Sequence, residues 1–208
     1  MEPWKRLLLE NKAWAQDAAT QPVSEASDGT SREFLWIGCS DARLPAAQMT
    51  GSTDGELFVH RNLGNLVVHT DLNLLAVLEC AVTQGGVKHI IVCGHFGCQG
   101  VRSALDRQSH GHMDAWLNHI KDTWRTHKDE LALHEPEAAQ RRLVELNVLQ
   151  QVNNLARTAI VQRTWAAEQR PMLHGWVFDP ADRLIRPLVK VDRSTPLDDI
   201  HRLAGPIA

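Results

Sequence analysis

The sequence predicts an α/β fold in which helices flank a central, mainly parallel β-sheet and an N-terminal helical arm comes first. Short apolar runs at 34–37 and 90–92 are each followed closely by glycine, which is typical of buried strands. Segments with helical periodicity separate these runs, as in a sheet whose strands are joined by crossovers. The 208 residues are 43% hydrophobic, which suffices for one domain. We therefore expect a single domain over 1–208, with 1–31 as arm and linker.

The N-terminal half is predicted to begin with the arm and to continue into the sheet. Residues 4–18 carry Trp and Leu at helical spacing, so this helix needs a surface to pack on, such as a partner subunit. Residues 21–31 are rich in Ser, Asp, Gly and Thr and predict a linker. Asp71 is the expected N-cap of a helix that Gly85 and Gly86 end near residue 84. The predicted strands of this half cover 34–39 and 57–60.

The C-terminal half is predicted to add strands and longer helices. Pro136 suits the first turn of a long helix, and Asp179-Pro180 predicts a turn between two strands. A further helix is expected to begin near Cys98. The predicted helices cover 112–128 and 137–169, and the predicted strands cover 89–94, 173–178 and 184–191.

Composition excludes several classes of protein. A net charge of −3 and a pI near 6.4 argue against nucleic acid as a partner. No run approaches the roughly 20 apolar residues of a membrane span, and the start of the chain does not resemble a secretory signal. Four cysteines without an export signal favour metal-binding thiolates in a reducing compartment. We expect a cytoplasmic protein that binds neither membranes nor nucleic acid.

Potential metal ligands follow two of the predicted strands. Cys39 and Asp41 come at the end of the first strand, and His95 and Cys98 come at the end of the third. If the two strands are parallel neighbours, their carboxyl ends meet at one crevice. Two thiolates, one imidazole and one carboxylate suit a tetrahedral zinc ion. Arg43 offers the Asp41 carboxylate a second partner, which favours a catalytic site.

Each half of this pattern has a plainer interpretation. Cysteine at a strand end is most often a core residue, and Asp with Arg two positions later is most often a surface pair. A redox pair of Cys39 and Cys98 would leave His95 and Asp41 without a role. A closed structural zinc site with four ligands is the stronger alternative, and it leaves Arg43 unexplained.

A more specific pattern is carried by five stretches of the chain, namely 34–43, 57–62, 89–95, 145–148 and 174–176. Together they resemble the β-class carbonic anhydrases of bacteria. The resemblance implies that Cys39, His95 and Cys98 hold one zinc ion per chain and that Asp41 and Arg43 form a catalytic dyad. It also implies reversible hydration of CO2 to bicarbonate and a proton by zinc-bound hydroxide. A homodimer or homotetramer, in which the arm wraps on the neighbouring subunit, is implied as well.

The resemblance also implies positions around the metal. Phe58 is a candidate wall of the substrate pocket, and Gln99 stands where the family usually has glycine after the second cysteine. Trp36 and Arg61 match a bicarbonate regulatory pocket of part of the family. The tyrosine of that pocket is Phe178 here, and the chain contains no tyrosine. We therefore expect regulation through this pocket to be weak.

Two other functions remain open at this stage. The same hydroxide could hydrolyse a related linear substrate such as carbonyl sulfide. The chain could also be a zinc-stabilised scaffold that has lost its catalytic activity, although the intact pair of Asp41 and Arg43 argues against this.

Overall fold

The computed structural model describes residues 2–18, 32–41, 43, 45–52 and 55–204. The chain divides into two compact units, 1–30 and 31–208. In the first unit, α1 covers Pro3–Ala18, which confirms the predicted helix. Its large apolar side chains are all more than half exposed, namely Trp4, Leu7, Leu8, Leu9 and Trp14. The predicted linker over 21–31 lies outside the described residues.

The second unit is built on a sheet that has five strands within the described residues. Its order is β2-β1-β3-β4-β5. The first four strands are parallel, and only β5 runs antiparallel, against β4. The strands are β1 (Phe34–Cys39), β2 (Leu57–Asn62), β3 (His89–His95), β4 (Met172–Asp179) and β5 (Leu184–Val191). The prediction of a mainly parallel sheet is confirmed, and β1 and β3 are neighbours.

Helices follow the strands largely where the sequence predicts them. Asp71 caps α3 by accepting from the N–H groups of Asn73 and Leu74, and Pro136 opens α7. Residues 80–84 continue α3 as a π-helical turn. The helices are α2 (Ala46–Thr50), α3 (Leu72–Glu79), α4 (Gln99–Leu105), α5 (Met113–Thr126), α6 (Lys128–Leu131), α7 (Pro136–Ala156) and α8 (Ala159–Ala167).

The prediction of one continuous helix over 137–169 is wrong. The chain leaves helical geometry at Thr158, whose backbone is extended, and its hydroxyl accepts from the N–H of Val161. This residue therefore ends α7 and caps α8. Apolar periodicity continues through the break, because both helices contribute to the same core, and so the pattern alone does not reveal it. The short α2 was not predicted.

The main hydrophobic core lies between one face of the sheet and the helices. Gly94 and Gly175 allow α7 to approach β3 and β4 closely. A Cβ on Gly94 would lie 2.7 Å from Val148 Cγ2, and one on Gly175 would lie 3.0 Å from Val148 Cγ1. The opposite face carries a smaller cluster around Trp36, Ile91 and Phe178.

No helix within the described residues combines the length and the apolarity needed to cross a bilayer.

Candidate metal centre

Three of the predicted metal ligands meet at the carboxyl ends of β1 and β3. Cys39 is the last residue of β1, His95 is the last residue of β3, and Cys98 precedes α4. Their ligand atoms all lie within 4.8 Å of one another, and all three residues are buried. Gly97, with φ of +73°, permits the tight turn that brings Cys98 back towards His95.

The geometry of this group fits a tetrahedral metal ion. The Sγ atoms of Cys39 and Cys98 are 3.8 Å apart, close to the separation of about 3.8 Å that zinc–sulfur bonds of ~2.3 Å give at a tetrahedral angle. The Nε2 of His95 is buried and has no partner among the described residues. The Nδ1 of this ring is 3.2 Å from the carbonyl oxygen of Phe96, which would orient the ring with Nε2 towards a metal.

The two thiols are electrostatically linked. The pKa of Cys39 is lowered to about 4, chiefly by the hydrogen bond from Cys98 and to a smaller extent by His95 and the backbone of Gly64, which together outweigh the effect of burial. The same hydrogen bond and burial raise the pKa of Cys98. One thiol therefore ionises readily while its neighbour resists ionisation. A cation bound between them would stabilise both thiolates at once.

Asp41 is bound to Arg43 and lies outside this three-residue group. Its Oδ1 accepts from Arg43 Nε at 2.8 Å and from the Arg43 backbone N–H at 3.1 Å, and its Oδ2 accepts from Arg43 Nη2. Hydrogen bonds from the Arg43 side chain hold the pKa of Asp41 well below its usual range. The Asp41 side chain is only 14% exposed, whereas that of Arg43 is 75% exposed. A charged donor at the surface thus holds a carboxylate near the three ligands.

A buried chain of amides supports the backbone around Cys39, and sequence analysis did not find it. Asn147 Nδ2 donates to the Gly64 carbonyl at 3.0 Å, and Gln151 Nε2 donates to Asn147 Oδ1 at 3.0 Å. The backbone of Gly64 in turn forms a hydrogen bond with the Cys39 thiol. Asn147 and Gln151 are each 1% exposed. The sequence feature that points to this chain of amides is a pair of amide side chains, four residues apart, on the core-facing side of α7.

The predicted substrate residues have other neighbours in this single chain. Phe58 packs against the main core, and the Arg32 guanidinium lies 4.3 Å from its ring centroid. Gln99 Nε2 donates to the Ser103 hydroxyl at 3.3 Å. Neither residue lines the cavities described here that reach His95.

Two of the three residues of the predicted bicarbonate pocket come together. Trp36 and Phe178 line a space of about 10 Å³ beside Cys39 and His95, which holds about one water molecule. Arg61 is not among the residues that line this space; its Nε donates to the Cys39 carbonyl at 2.7 Å and its Nη2 to the Asp41 carbonyl. Arg61 thus supports the backbone of the metal centre, and the bicarbonate pocket stays a prediction.

Comparison with known proteins identifies the family. A family model described as carbonic anhydrase matches residues 34–185. The chain belongs to the carbonic anhydrase family. It is 39% identical over 202 residues to a carbonic anhydrase of Emericella nidulans, with 95% of this chain and 88% of that protein covered.

Solved carbonic anhydrases share the fold. A β-carbonic anhydrase of Aspergillus fumigatus superposes with a TM-score of 0.84 at 32% identity, covering 94% of this chain and 93% of that one. A tetrameric β-carbonic anhydrase of Sordaria macrospora gives 0.84 at 34% identity, covering 92% and 100%. These relatives are fungal, so the comparison supports the β class of carbonic anhydrase without singling out its bacterial members. Carbonic anhydrase activity, a lyase reaction, follows for this chain.

Proposed function

We propose that this chain is a zinc-dependent β-carbonic anhydrase that converts CO2 and water reversibly to bicarbonate and a proton. One zinc ion per chain would be held by Cys39, His95 and Cys98. The observation that carries the proposal is the 3.8 Å separation of two buried sulfurs beside a His95 Nε2 that has no partner among the residues described. Three protein ligands leave the fourth position of a tetrahedral ion open, as catalytic sites require.

The roles of the residues follow from their contacts. When bound, zinc supplies a Lewis acid that makes water a strong nucleophile at moderate pH. Asp41 retains lone pairs that can accept a hydrogen bond from the attacking water and orient it. Arg43 holds this carboxylate through charge-assisted hydrogen bonds, which favour one orientation and keep it ionised. Arg61 fixes the carbonyl groups on either side of this turn.

Association with further copies of the chain is part of the proposal. The exposed apolar side chains of α1 and the 50% exposed Val59 on β2 favour contact with another protein surface. The Sordaria macrospora relative is described as tetrameric. We propose a homodimer or homotetramer. A cytoplasmic location and a bacterial subset of the class stay predictions from the sequence.

The test pairs Cys39→Ser with Cys93→Ser. Both cysteines are buried, but the Cys93 thiol donates to the Gly94 carbonyl at 3.4 Å and lies outside the metal group. Serine is a poor ligand for zinc, so we expect Cys39→Ser to lose bound zinc and CO2 hydration and Cys93→Ser to retain both. Metal analysis and stopped-flow CO2 hydration measure the two properties. Full zinc content in Cys39→Ser would refute the ligand assignment.

The same preparations decide between hydration and the related hydrolysis. We expect the zinc-loaded protein to hydrate CO2 rapidly. Hydrolysis of carbonyl sulfide without CO2 hydration would overturn the proposed activity, and zinc binding without either activity would indicate a scaffold.

A further inference from the structure

A large open cavity lies beside the metal centre, and the proposed reaction does not account for it. Its volume is about 820 Å³, and His95 and Arg43 form part of its lining. The other walls come from α2, α4, the first turns of α7 and the hairpin between β4 and β5. Sites for small organic molecules occupy about 300–1,000 Å³. The cavity is therefore far larger than CO2 or bicarbonate requires.

The lining of this cavity is rich in arginine. Four arginines contribute, and we call the site the arginine cavity; they are Arg43, Arg102, Arg141 and Arg183. Arg102 and Arg183 donate from their side chains to no acceptor among the described residues, and both are exposed. The lining has two carboxylates, on Glu137 and Asp179.

One of the two lining carboxylates is already neutralised. Asp179 Oδ2 is 2.9 Å from Arg141 Nη2 and 3.3 Å from Arg186 Nη1, so this carboxylate is shared by two cations. Arg186 does not line the cavity. Its contact with Asp179 nevertheless leaves this carboxylate less able to neutralise the other arginines of the lining. Among the lining residues, Glu137 is then the one carboxylate left to balance Arg102 and Arg183. The cavity presents more donors than acceptors.

Two further features narrow the chemistry of a ligand. Gln140 lines the cavity, and its Nε2 is a buried donor that lacks a partner within the described parts of the chain. The aromatic lining residues, Phe96 and Phe178, are only 6% and 7% exposed. The Arg141 guanidinium covers the Phe96 ring at 3.6 Å from its centroid. The cavity thus offers donors and positive charge but no open aromatic surface on which a base could stack.

We propose that the arginine cavity binds a small organic or inorganic oxyanion with at least two negative charges. Carboxylate and phosphate groups share the chemistry that planar guanidinium groups recognise through paired hydrogen bonds. The separated arginines on α4 and on the β4–β5 hairpin suit charges at both ends of such a molecule. A bound anion would lie next to Arg43 and His95, and so the cavity is an effector site beside the metal centre.

The test is calorimetric titration of zinc-loaded protein with citrate and with pyrophosphate, at low and at high salt. Arg102→Gln and Arg183→Gln remove a charge while keeping much of the side-chain length. Each is expected to weaken binding by roughly tenfold or more, because a charge-assisted hydrogen bond is lost. Arg125→Gln is the matched control, since Arg125 is 76% exposed on α5 and does not line the cavity. Thermal unfolding and zinc content verify that each variant is folded.

A parallel titration with saturating azide separates this site from the metal. Azide coordinates zinc, so citrate or pyrophosphate bound in the arginine cavity is expected to remain bound. Tighter binding of one probe would assign the site to carboxylates or to phosphates. Absence of binding by both probes, equal binding by all three variants, or full displacement by azide would overturn the proposal. The titration measures the heat of binding, so its result does not depend on whether the protein hydrates CO2.

Discussion

The pairing of Asp41 with Arg43 determines how pH should act on catalysis. The pKa of Asp41 is held well below its usual range by hydrogen bonds from Arg43, so this carboxylate stays ionised throughout the neutral range. A change in activity near neutrality must therefore come from another group. Two thiolates cancel the charge of a dication, so water at this centre is expected to ionise at higher pH than at a three-histidine centre.

We accordingly expect CO2 hydration to be low near pH 6.5 and to rise steeply towards pH 9. Stopped-flow measurements on zinc-loaded protein at constant ionic strength provide the profile. Arg43→Lys should lower turnover, because an ammonium group cannot hold both carboxylate oxygens in the plane of a fork. A flat profile over this range would contradict the expectation. Unperturbed aspartate titrates near 3.9, so the ionisation of Asp41 cannot by itself produce the rise.

Among the helices, α7 connects the core to the metal centre. Asn147 bonds the Gly64 carbonyl, and Gln151 bonds both Asn147 and, through Oε1, the backbone N–H of Val67 at 2.9 Å. This helix thereby holds the 64–67 segment against Cys39. The packing is close because Gly94 and Gly175 lack side chains at the contact.

Asn147→Ala should lower the free energy of unfolding by about 1–3 kcal/mol, since it leaves a buried carbonyl and a buried amide without partners. It should also weaken zinc binding in competition with a chelator, because the segment next to Cys39 is released. Asn153→Ala is the matched control, because Asn153 lies on the same helix and is exposed. Denaturant unfolding of both variants measures the difference. Equal stabilities would show that the amide chain does not support the fold.

Strands β3 and β4 carry a histidine pair that should make stability depend on pH. His89 Nδ1 and His174 Nε2 are 3.2 Å apart. Burial, the positive charge of His89 and that of Lys190 lower the pKa of His174 to about 4. The pKa of His89 is also lowered, mainly by burial, although Glu33 opposes the shift. Since unfolded histidine titrates near 6.5, the unfolded state binds these protons first as the pH falls.

The contribution of His174 to stability is therefore present above about pH 6.5 and lost as the pH falls towards 4, with a slope of at most about 1.4 kcal/mol per pH unit. His174→Gln removes this titration, and its free energy of unfolding should vary less between pH 7.5 and 5. His112→Gln is a suitable control, because His112 is exposed. Urea unfolding at several pH values gives the slopes, and an unchanged slope in His174→Gln would refute the expectation.

At the scale of the whole molecule, α1 carries large apolar side chains that are more than half exposed, Trp4 and Leu8 among them. Trp4→Ser combined with Leu8→Ser should shift the full-length protein towards smaller assemblies, because buried apolar area drives association. Lys12→Ser changes an exposed polar side chain of the same helix and serves as the control. Light scattering coupled to size-exclusion chromatography measures the mass. An unchanged mass in the double variant would exclude this helix from the subunit contact.

Local sequence patterns sufficed for most of the fold and for the three-residue metal group. Short apolar runs predict the strands, and the cysteine and histidine positions at their ends predict a metal group, because parallel strands bring their carboxyl ends together. The break at Thr158 was missed, since the core-facing periodicity continues across it. The cap at Asp71 and the start of α7 at Pro136 were found because helix starts depend on neighbours within one turn.

Long-range contacts decided the rest. The use of Arg61 on backbone carbonyls and the contact of Asn147 with Gly64 depend on distances between separate segments. The arginine cavity joins α4, α7 and the β4–β5 hairpin, whose residues lie far apart along the chain. Hydrogen-bond partners and cavities arise only when such segments pack, so composition and periodicity, which describe neighbours along the chain, do not encode them directly.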